Sequence, residues 1–261
     1  MKVLSLGWGV QSFTIAAMVA KGELPSVDYA VHADTTFERQ GTYAFAREWT
    51  PWLQEHGIMV VTVQAQREPN PLEKVNKQSI MIPAFTLSPN GEKGQTRRQC
   101  THDWKIVPMR HFIRSEMAGL GIRPSPAVVE MWLGISYDEW QRARDSGVKY
   151  IVNVFPLLDR RITRAACVLW LKENNLPVPP KSSCTFCPYR SIQSWRDLKS
   201  AGGSDWDQAV KVDTTIRDKR PPFPLYVHPA RKPLSAAVVL PQGKQFELDL
   251  ETPCDGGVCW T

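Results

Sequence analysis

No apolar run among the 261 residues approaches the roughly 18 that a membrane-spanning helix needs. That removes helical membrane proteins from the classes open to the chain. Low-complexity tracts and internal repeats are also lacking, which excludes repeat architectures. Cysteine is sparse, with six residues at positions 100, 167, 184, 187, 254 and 259. The opening Met1-Lys2-Val3-Leu4-Ser5-Leu6-Gly7 runs straight into a strand pattern instead of a signal peptide, so a cytoplasmic protein is expected. In that reducing compartment the cysteine spacing suits metal or redox chemistry better than a disulfide framework. Acid is the minority charge: 26 Asp and Glu against 32 Lys and Arg give +6 and a pI near 9.0. Such a surplus suits a polyanionic partner, either nucleic acid or the phosphates of a nucleotide.

What is present is a chain with 43% hydrophobic residues, enough for one substantial core and a smaller appendage. Lys2 to Leu6 reads as a short buried strand, followed by a glycine turn and a helix from about Gln11 to Lys21. Tyr29 to Ala33 reads as a second strand, Thr42 to His56 as a helix and Ile58 to Val63 as a third strand. This β-α-β-α-β alternation predicts a doubly wound, mainly parallel sheet covered by helices. Residues from about 67 to 99 are rich in Pro, Gly, Asn, Gln and Lys and read as a long loop, expected to move in the absence of ligand. Trp104 to Glu116 is again helical in pattern, and Val128 to Leu133 and Tyr150 to Val154 complete a five-stranded sheet. A helix from Ile162 to Asn174 leads into the proline-rich Leu176-Pro177-Val178-Pro179-Pro180. The expected layout is an α/β domain over 1–160 and a small helical, cysteine-bearing subdomain with a tail over 161–261.

Ser5-Leu6-Gly7-Trp8-Gly9-Val10-Gln11-Ser12 follows a strand and opens a helix. Its backbone N–H groups and the helix dipole would converge on an anion, and the glycines permit close approach. The segment has no Gly-Lys-Ser/Thr of a Walker A loop, and Ser12 stands where G-x-G-x-x-G needs its third glycine. An ordinary tight β-α turn is the plain alternative. The segment resembles the PP-loop, S-G-G-x-D-S, with Gly9, Val10 and Ser12 in register. Gly7 stands for its first serine, Trp8 for its first glycine and Gln11 for its aspartate, so a loop carboxylate that could help a metal such as magnesium is missing.

Three further segments, in the same order along the chain, are similar to those of phosphoadenosine-phosphosulfate (PAPS) reductases. Ala33-Asp34-Thr35-Thr36-Phe37-Glu38 with Thr42-Tyr43 resembles D-T-G…E-T-Y, where the reductase chain passes the adenosine. Gly134-Ile135-Ser136-Tyr137-Asp138-Glu139 with Arg142 resembles G-x-R-x-x-(E/Q)-x-x-R, and Pro156-Leu157-Leu158-Asp159 with Ile162-Thr163 resembles P-L-x-D-W-T. The resemblance implies an adenine-nucleotide α-hydrolase-like fold of PP-loop type, binding ATP or an adenylyl-sulfate. The binding residues would be Ser5, Gly7, Gly9, Val10, Gln11, Ser12, Asp34, Thr35, Glu38, Gly134 and Arg142. Asp34 and Glu38 also suit strand-end cap positions, and Asp138 and Glu139 suit acids at a helix start. Arg97, Arg98, Lys105, Arg142 and Arg164 are candidate phosphate or sulfate partners, since guanidinium forks fit such oxyanions.

Arg97-Arg98-Gln99-Cys100-Thr101-His102-Asp103-Trp104-Lys105-Ile106-Val107-Pro108 is similar to the cysteine-lysine-proline segment of iron-sulfur sulfonucleotide reductases, with one cysteine where they carry two. Ser183-Cys184-Thr185-Phe186-Cys187-Pro188 adds a C-x-x-C whose thiolates can meet one metal. Cys100, Cys184 and Cys187 are therefore candidate ligands of a [4Fe–4S] cluster, with zinc as one alternative and a metal-free pair of buried thiols as another. Cys167, beside Ala165, Ala166 and Val168, reads as core. The terminal Cys254-Asp255-Gly256-Gly257-Val258-Cys259-Trp260-Thr261 resembles the mobile cysteine tail of PAPS reductases, which would make Cys254 and Cys259, with Lys105, the catalytic candidates.

Three functions of different class fit these residues. One is sulfur transfer or sulfonucleotide reduction on an adenine nucleotide. Another is an ATP-pyrophosphatase that activates a base of DNA or RNA. The third is a non-catalytic accessory protein, because the G-V-Q-S loop, the K-S-x-C-x-F-C-P stretch and the C-x-G-G-x-C tail resemble the CysH-like proteins of phages, plasmids and type IV-B CRISPR loci. That third resemblance implies a mobile genetic element and a CRISPR ribonucleoprotein partner; an oligomer is compatible with all three.

Overall fold

The structure, a computed structural model, describes residues 1–65 and 82–240. In chain order the elements begin with β1 (Lys2–Ser5), α1 (Val10–Ala20), β2 (Tyr29–Asp34), α2 (Gln40–Glu55) and β3 (Val60–Gln64). A hairpin follows, β4 (Phe85–Leu87) and β5 (Lys93–Gln95), then a π-type turn over His102–Ile106 that runs into α3 (Val107–Gly119). Next come β6 (Val129–Trp132), β7 (Ile151–Val154), the single turn α4 (Pro156–Asp159) and α5 (Arg164–Glu173). The last are α6 (Ile192–Ala201), α7 (Gly203–Ile216), β8 (Leu225–Tyr226) and the short α8 (Leu234–Ala237). Contacts divide the described chain into two compact units, residues 1–65 with 104–182 and residues 82–103 with 183–240.

The first unit is an α/β fold around a five-stranded sheet of order β3-β2-β1-β6-β7, parallel at every pairing. Its strands alternate as period-two geometry requires. Val3, Val31, Ala33, Val129 and Met131 face a core completed by Met109, Ile113 and Met117 of α3. Leu4, Ala30 and Trp132 face the opposite core with α1, Phe45 and Leu53 of α2, and Cys167 and Leu171 of α5. Helix α1 buries Val10 and every residue from Ser12 to Val19, as expected of a helix apolar on nearly all sides. The strand order reverses between β1 and β6, because the chain winds outward through β2 and β3 before returning to the other side. At such a point the loops leaving adjacent strands diverge and open a crevice at the carboxyl ends.

The second unit holds a three-stranded antiparallel sheet, β5-β4-β8, with helices α6, α7 and α8. Part of the segment read as a long loop is thus a hairpin. Pro89, Asn90 and Gly91 belong to its turn, Ser88-Pro89-Asn90-Gly91-Glu92, closed by the Ser88 amide on the Glu92 carbonyl at 2.9 Å, with Gly91 at φ +82°. Residues 67–81 of that predicted loop lie outside the described residues. Asp213 organises the unit from within: 1% exposed, it accepts from the Val227 amide at 3.0 Å, the Leu234 amide at 2.9 Å and the Arg217 guanidinium. A single carboxylate so ties α7 to β8 and to the start of α8. Cysteines 100, 184 and 187 belong to this unit, which takes in 82–103 as well as the chain after 183, whereas α5 lies in the first unit. Among the described residues no helix is long and apolar enough to cross a membrane.

Candidate functional site

Helix α1 points its N-terminus into the crevice between β1 and β6. Gly9 is its N-cap, with φ −94° and ψ 171°; no side chain caps the helix and no acid occupies its first turn. The Phe13 amide already reaches the Gly9 carbonyl at 3.0 Å, so the helix ladder begins there and the amides before it point outward. A Cβ built on Gly9 would stand 2.7 Å from the Ser182 hydroxyl. Trp8, in the place of the first PP-loop glycine, adopts φ +54° while its ring is 1% exposed against Phe13 and Phe45. The loop keeps a glycine-like backbone there through a buried anchor. His32 braces the same turn from below, its Nδ1 3.1 Å from the Leu6 carbonyl. Burial holds the His32 pKa below its ordinary value, so the ring is neutral near pH 7 and Nδ1 carries the donated proton. Ser5 is half-buried and donates to Met109 Sδ at 3.9 Å; Ser12 bonds back to the Gly9 carbonyl at 3.3 Å; Val10 is buried and Gly7 exposed.

The loop after β6 closes the other side. At Gly134 a Cβ would meet the Ser12 amide nitrogen at 2.8 Å and its Cα at 3.1 Å, so only glycine fits against the first turn of α1. Gln11, at the PP-loop aspartate position, donates through Nε2 to Glu139 Oε2 at 3.1 Å. Glu139 Oε1 meets Arg142 Nη1 at 2.6 Å. An amide is therefore the fitting residue at position 11, since an aspartate there would face the Glu139 carboxylate. Ser136, two residues past Gly134, is fully buried with no hydrogen-bond partner for its hydroxyl.

At the end of β2, Asp34 accepts from the Thr36 amide at 2.8 Å and the Tyr43 hydroxyl at 2.7 Å on Oδ1, and from Gln64 at 2.8 Å on Oδ2. Burial alone would lift its pKa; the hydrogen bonds, Tyr43 first, outweigh this and hold it below the ordinary value. Its acceptors thus serve the strand end. Glu38 is different. It is 3% exposed, its Oε1 lies 3.4 Å from both Lys105 Nζ and Thr35 Oγ1, and its Oε2 is buried without a hydrogen-bond partner. A buried carboxylate oxygen left over beside an uncapped helix suits a donor on a ligand, such as a ribose hydroxyl. The Lys105 candidate is held here, on the π-type turn, with Trp104 stacked on Phe37 at 6.1 Å.

In the second unit the Cys187 amide donates to the Cys184 carbonyl at 3.1 Å, giving the C-x-x-C a closed turn. Buried Arg190 donates to the Cys184 carbonyl at 2.9 Å and to Ser183 at 3.0 Å. Tyr189 lies under the Arg98 guanidinium at 4.8 Å, and Cys100 and Cys187 both act on its hydroxyl, whose pKa rises chiefly through burial. Cys100, Cys184 and Cys187 are half-buried and carry no disulfide. Among the described residues, however, no three His, Cys, Asp or Glu side chains gather as a metal ligand set. The three thiols share the second unit without gathering into such a set there. Cys254 and Cys259 lie outside the described residues. Cys167 is fully buried in the core, its pKa pushed up to about 11 by burial.

Pattern reading missed Ser182, Ser136, His32 and the left-handed Trp8. Ser182 had a signal in the K-S-x-C stretch, but nothing in the sequence placed that stretch beside Gly9.

No protein-family model and no curated protein matches the chain. Among solved structures, it is similar to the PAPS reductase of Candida auris in its phosphate complex. That match has a TM-score of 0.44 and 14% identity over 68% of this chain and 74% of the other. It is also similar to the U34-tRNA thiolase NcsA of Methanococcus maripaludis with its [4Fe–4S] cluster. There the TM-score is 0.43, with 14% identity over 84% of this chain and 67% of the other. These likenesses are distant, and the functional reading rests on the site itself.

Proposed function

We propose that the first unit binds an adenine nucleotide of ATP or adenylyl-sulfate type at the N-terminus of α1, as PP-loop enzymes do. One observation carries this reading. The uncapped N-terminus of α1 lies at the strand-order reversal, and Gly9, its N-cap, and Gly134, on the loop after β6, have neighbours where a Cβ would stand. Phosphate oxygens take the outward amides of the first turn, whose positive end stabilises their charge. Gly7 keeps the approach open, Gly9 leaves room for Ser182 against the loop, and Ser5 and Ser12 flank it. Glu38, with Oε2 directed to a sugar hydroxyl and Oε1 held by Lys105 and Thr35, orients the nucleoside, while Gln11, Glu139 and Arg142 hold the loop rigid.

The finer reading is an enzyme of sulfur transfer or sulfonucleotide reduction, with Cys254 and Cys259 as thiol nucleophiles and Lys105 as an oxyanion partner. Cys100, Cys184 and Cys187 would be the thiolates to hold an iron-sulfur cluster, with one iron open, or zinc, and no step is assigned to either. A DNA, RNA or ribonucleoprotein partner has in its favour the +6 charge and the sequence resemblance of the loop, the K-S-x-C-x-F-C-P stretch and the tail, and no site geometry.

The test is calorimetry with ATP on the full chain and on Gly9→Asp. A carboxylate at the phosphate seat adds like-charge repulsion of several kcal/mol, so affinity should fall by more than about 100-fold while circular dichroism stays unchanged. Equal affinity of the two proteins would put the nucleotide elsewhere.

A further inference from the structure

The proline-rich connection after α5 turns back onto the loop. Pro180 lies 3.8 Å from where a Cβ of Gly41 would stand, in the first turn of α2, and the Ser182 hydroxyl lies 2.7 Å from that of Gly9, the N-cap of α1. Residues 180–182 therefore pass both helix starts, and neither helix has a side-chain cap or a first-turn acid. Two positive helix ends face a strap whose remaining residues are Lys181 and Ser182, both half-buried. Two of the buried polar atoms without partners lie on the segments in question: the Thr42 hydroxyl, next to Gly41 in the first turn of α2, and the Ser136 hydroxyl, two residues past Gly134. Each such atom in a folded core calls for a partner, and a polar ligand can supply one.

We propose that this strap is the polyphosphate discriminator of the site: Ser182 donates its hydroxyl to a phosphate beyond the α-phosphate, and Lys181 neutralises that phosphate. This rests on the nucleotide reading above and adds to it a specificity for nucleoside triphosphate over monophosphate. The physical need is plain. The loop carries no lysine of its own, and Gln11 is spent on Glu139, so the charge of a triphosphate must be met by residues outside the loop. The Pro179-Pro180 pair fixes the backbone ahead of Lys181, which lowers the ordering cost of holding both side chains in place.

The experiment compares ATP and AMP by calorimetry on the wild-type full chain, Ser182→Ala and Lys181→Ala. Loss of a hydrogen bond to a charged group should weaken ATP by about tenfold in Ser182→Ala, and Lys181→Ala should do so at least as strongly. AMP affinity should stay within about twofold in both. An unchanged ATP-to-AMP ratio overturns the proposal, whether both affinities hold or both fall together, since the latter is the mark of a strap that merely supports the fold. If wild-type protein binds neither nucleotide, the nucleotide reading itself fails, a result distinct from an altered ratio.

Discussion

Trp8 shows how a single residue can satisfy two opposed demands. The left-handed conformation at φ +54° costs an L-residue about 1–2 kcal/mol, and a glycine would adopt it without strain. The ring repays that cost by burial, since truncating a buried aromatic to alanine removes about 3–5 kcal/mol. Trp8→Ala should therefore lower stability by that amount in urea melts, and Trp8→Gly should lose about 1 kcal/mol less because it also releases the strain. A glycine variant less stable than the alanine variant would show that the backbone there is relaxed. At this scale the sequence named candidates that the fold brings into one unit: Gly9, Gln11, Ser12, Glu38, Gly134 and Arg142 lie at the ends of β1, β2 and β6. What was not legible was conformation and commitment. A tryptophan gives no sign of a positive φ, and nothing in the D-T-T-F-E segment shows that Asp34 is occupied by Tyr43 and Gln64 while Glu38 keeps an oxygen open.

Elements were easier to read than their contacts. All five parallel strands and the helices between them follow from period-two and helical apolar patterns, because each strand is buried and each crossover is amphipathic or wholly apolar. The β4–β5 hairpin escaped, since three-residue strands around a Ser-Pro-Asn-Gly turn give too short a pattern against a Pro- and Gly-rich background. The meeting of the β6 loop with α1 is a contact of the same hidden kind. A Cβ at Gly134 would press on the Ser12 amide and Cα and on the Gln11 carbonyl carbon, all backbone, so relief requires shifting the helix start. Gly134→Ala should cost about 1–3 kcal/mol of stability as overpacking. It should also weaken ATP binding by more than about tenfold, through displaced phosphate-binding amides. Urea melts and calorimetry on the same preparation separate the two effects. Unchanged affinity at reduced stability would mean that the first turn of α1 does not seat the phosphates.

Across the whole chain, each compact unit buries one neutral histidine, and this sets a common acid limit. His32 in the first unit and His228 in the second both have pKa values lowered from 6.5, chiefly by burial. His228 accepts the Ala230 amide on Nδ1 at 3.1 Å, so its proton sits on Nε2, a buried atom without a hydrogen-bond partner. With folded values depressed, the unfolded chain takes up protons first as pH falls below about 6.5, where histidine titrates when exposed. Stability is then full above that pH and declines as pH drops toward the folded values. Asp34, also depressed in the fold, acts in the same direction but only below its ordinary 3.8. Thermal melts should therefore be flat from about pH 8 to 7 and fall from about pH 6.5 to 5, well before carboxylates protonate. His228→Phe keeps the volume of the ring while removing the buried partnerless donor, so it should flatten part of that slope. His32→Phe should flatten the remainder but lose the brace on the Leu6 carbonyl and with it some nucleotide affinity. A wild-type profile that stays level, or rises, between pH 6.5 and 5 would show that neither ring is held neutral by the fold.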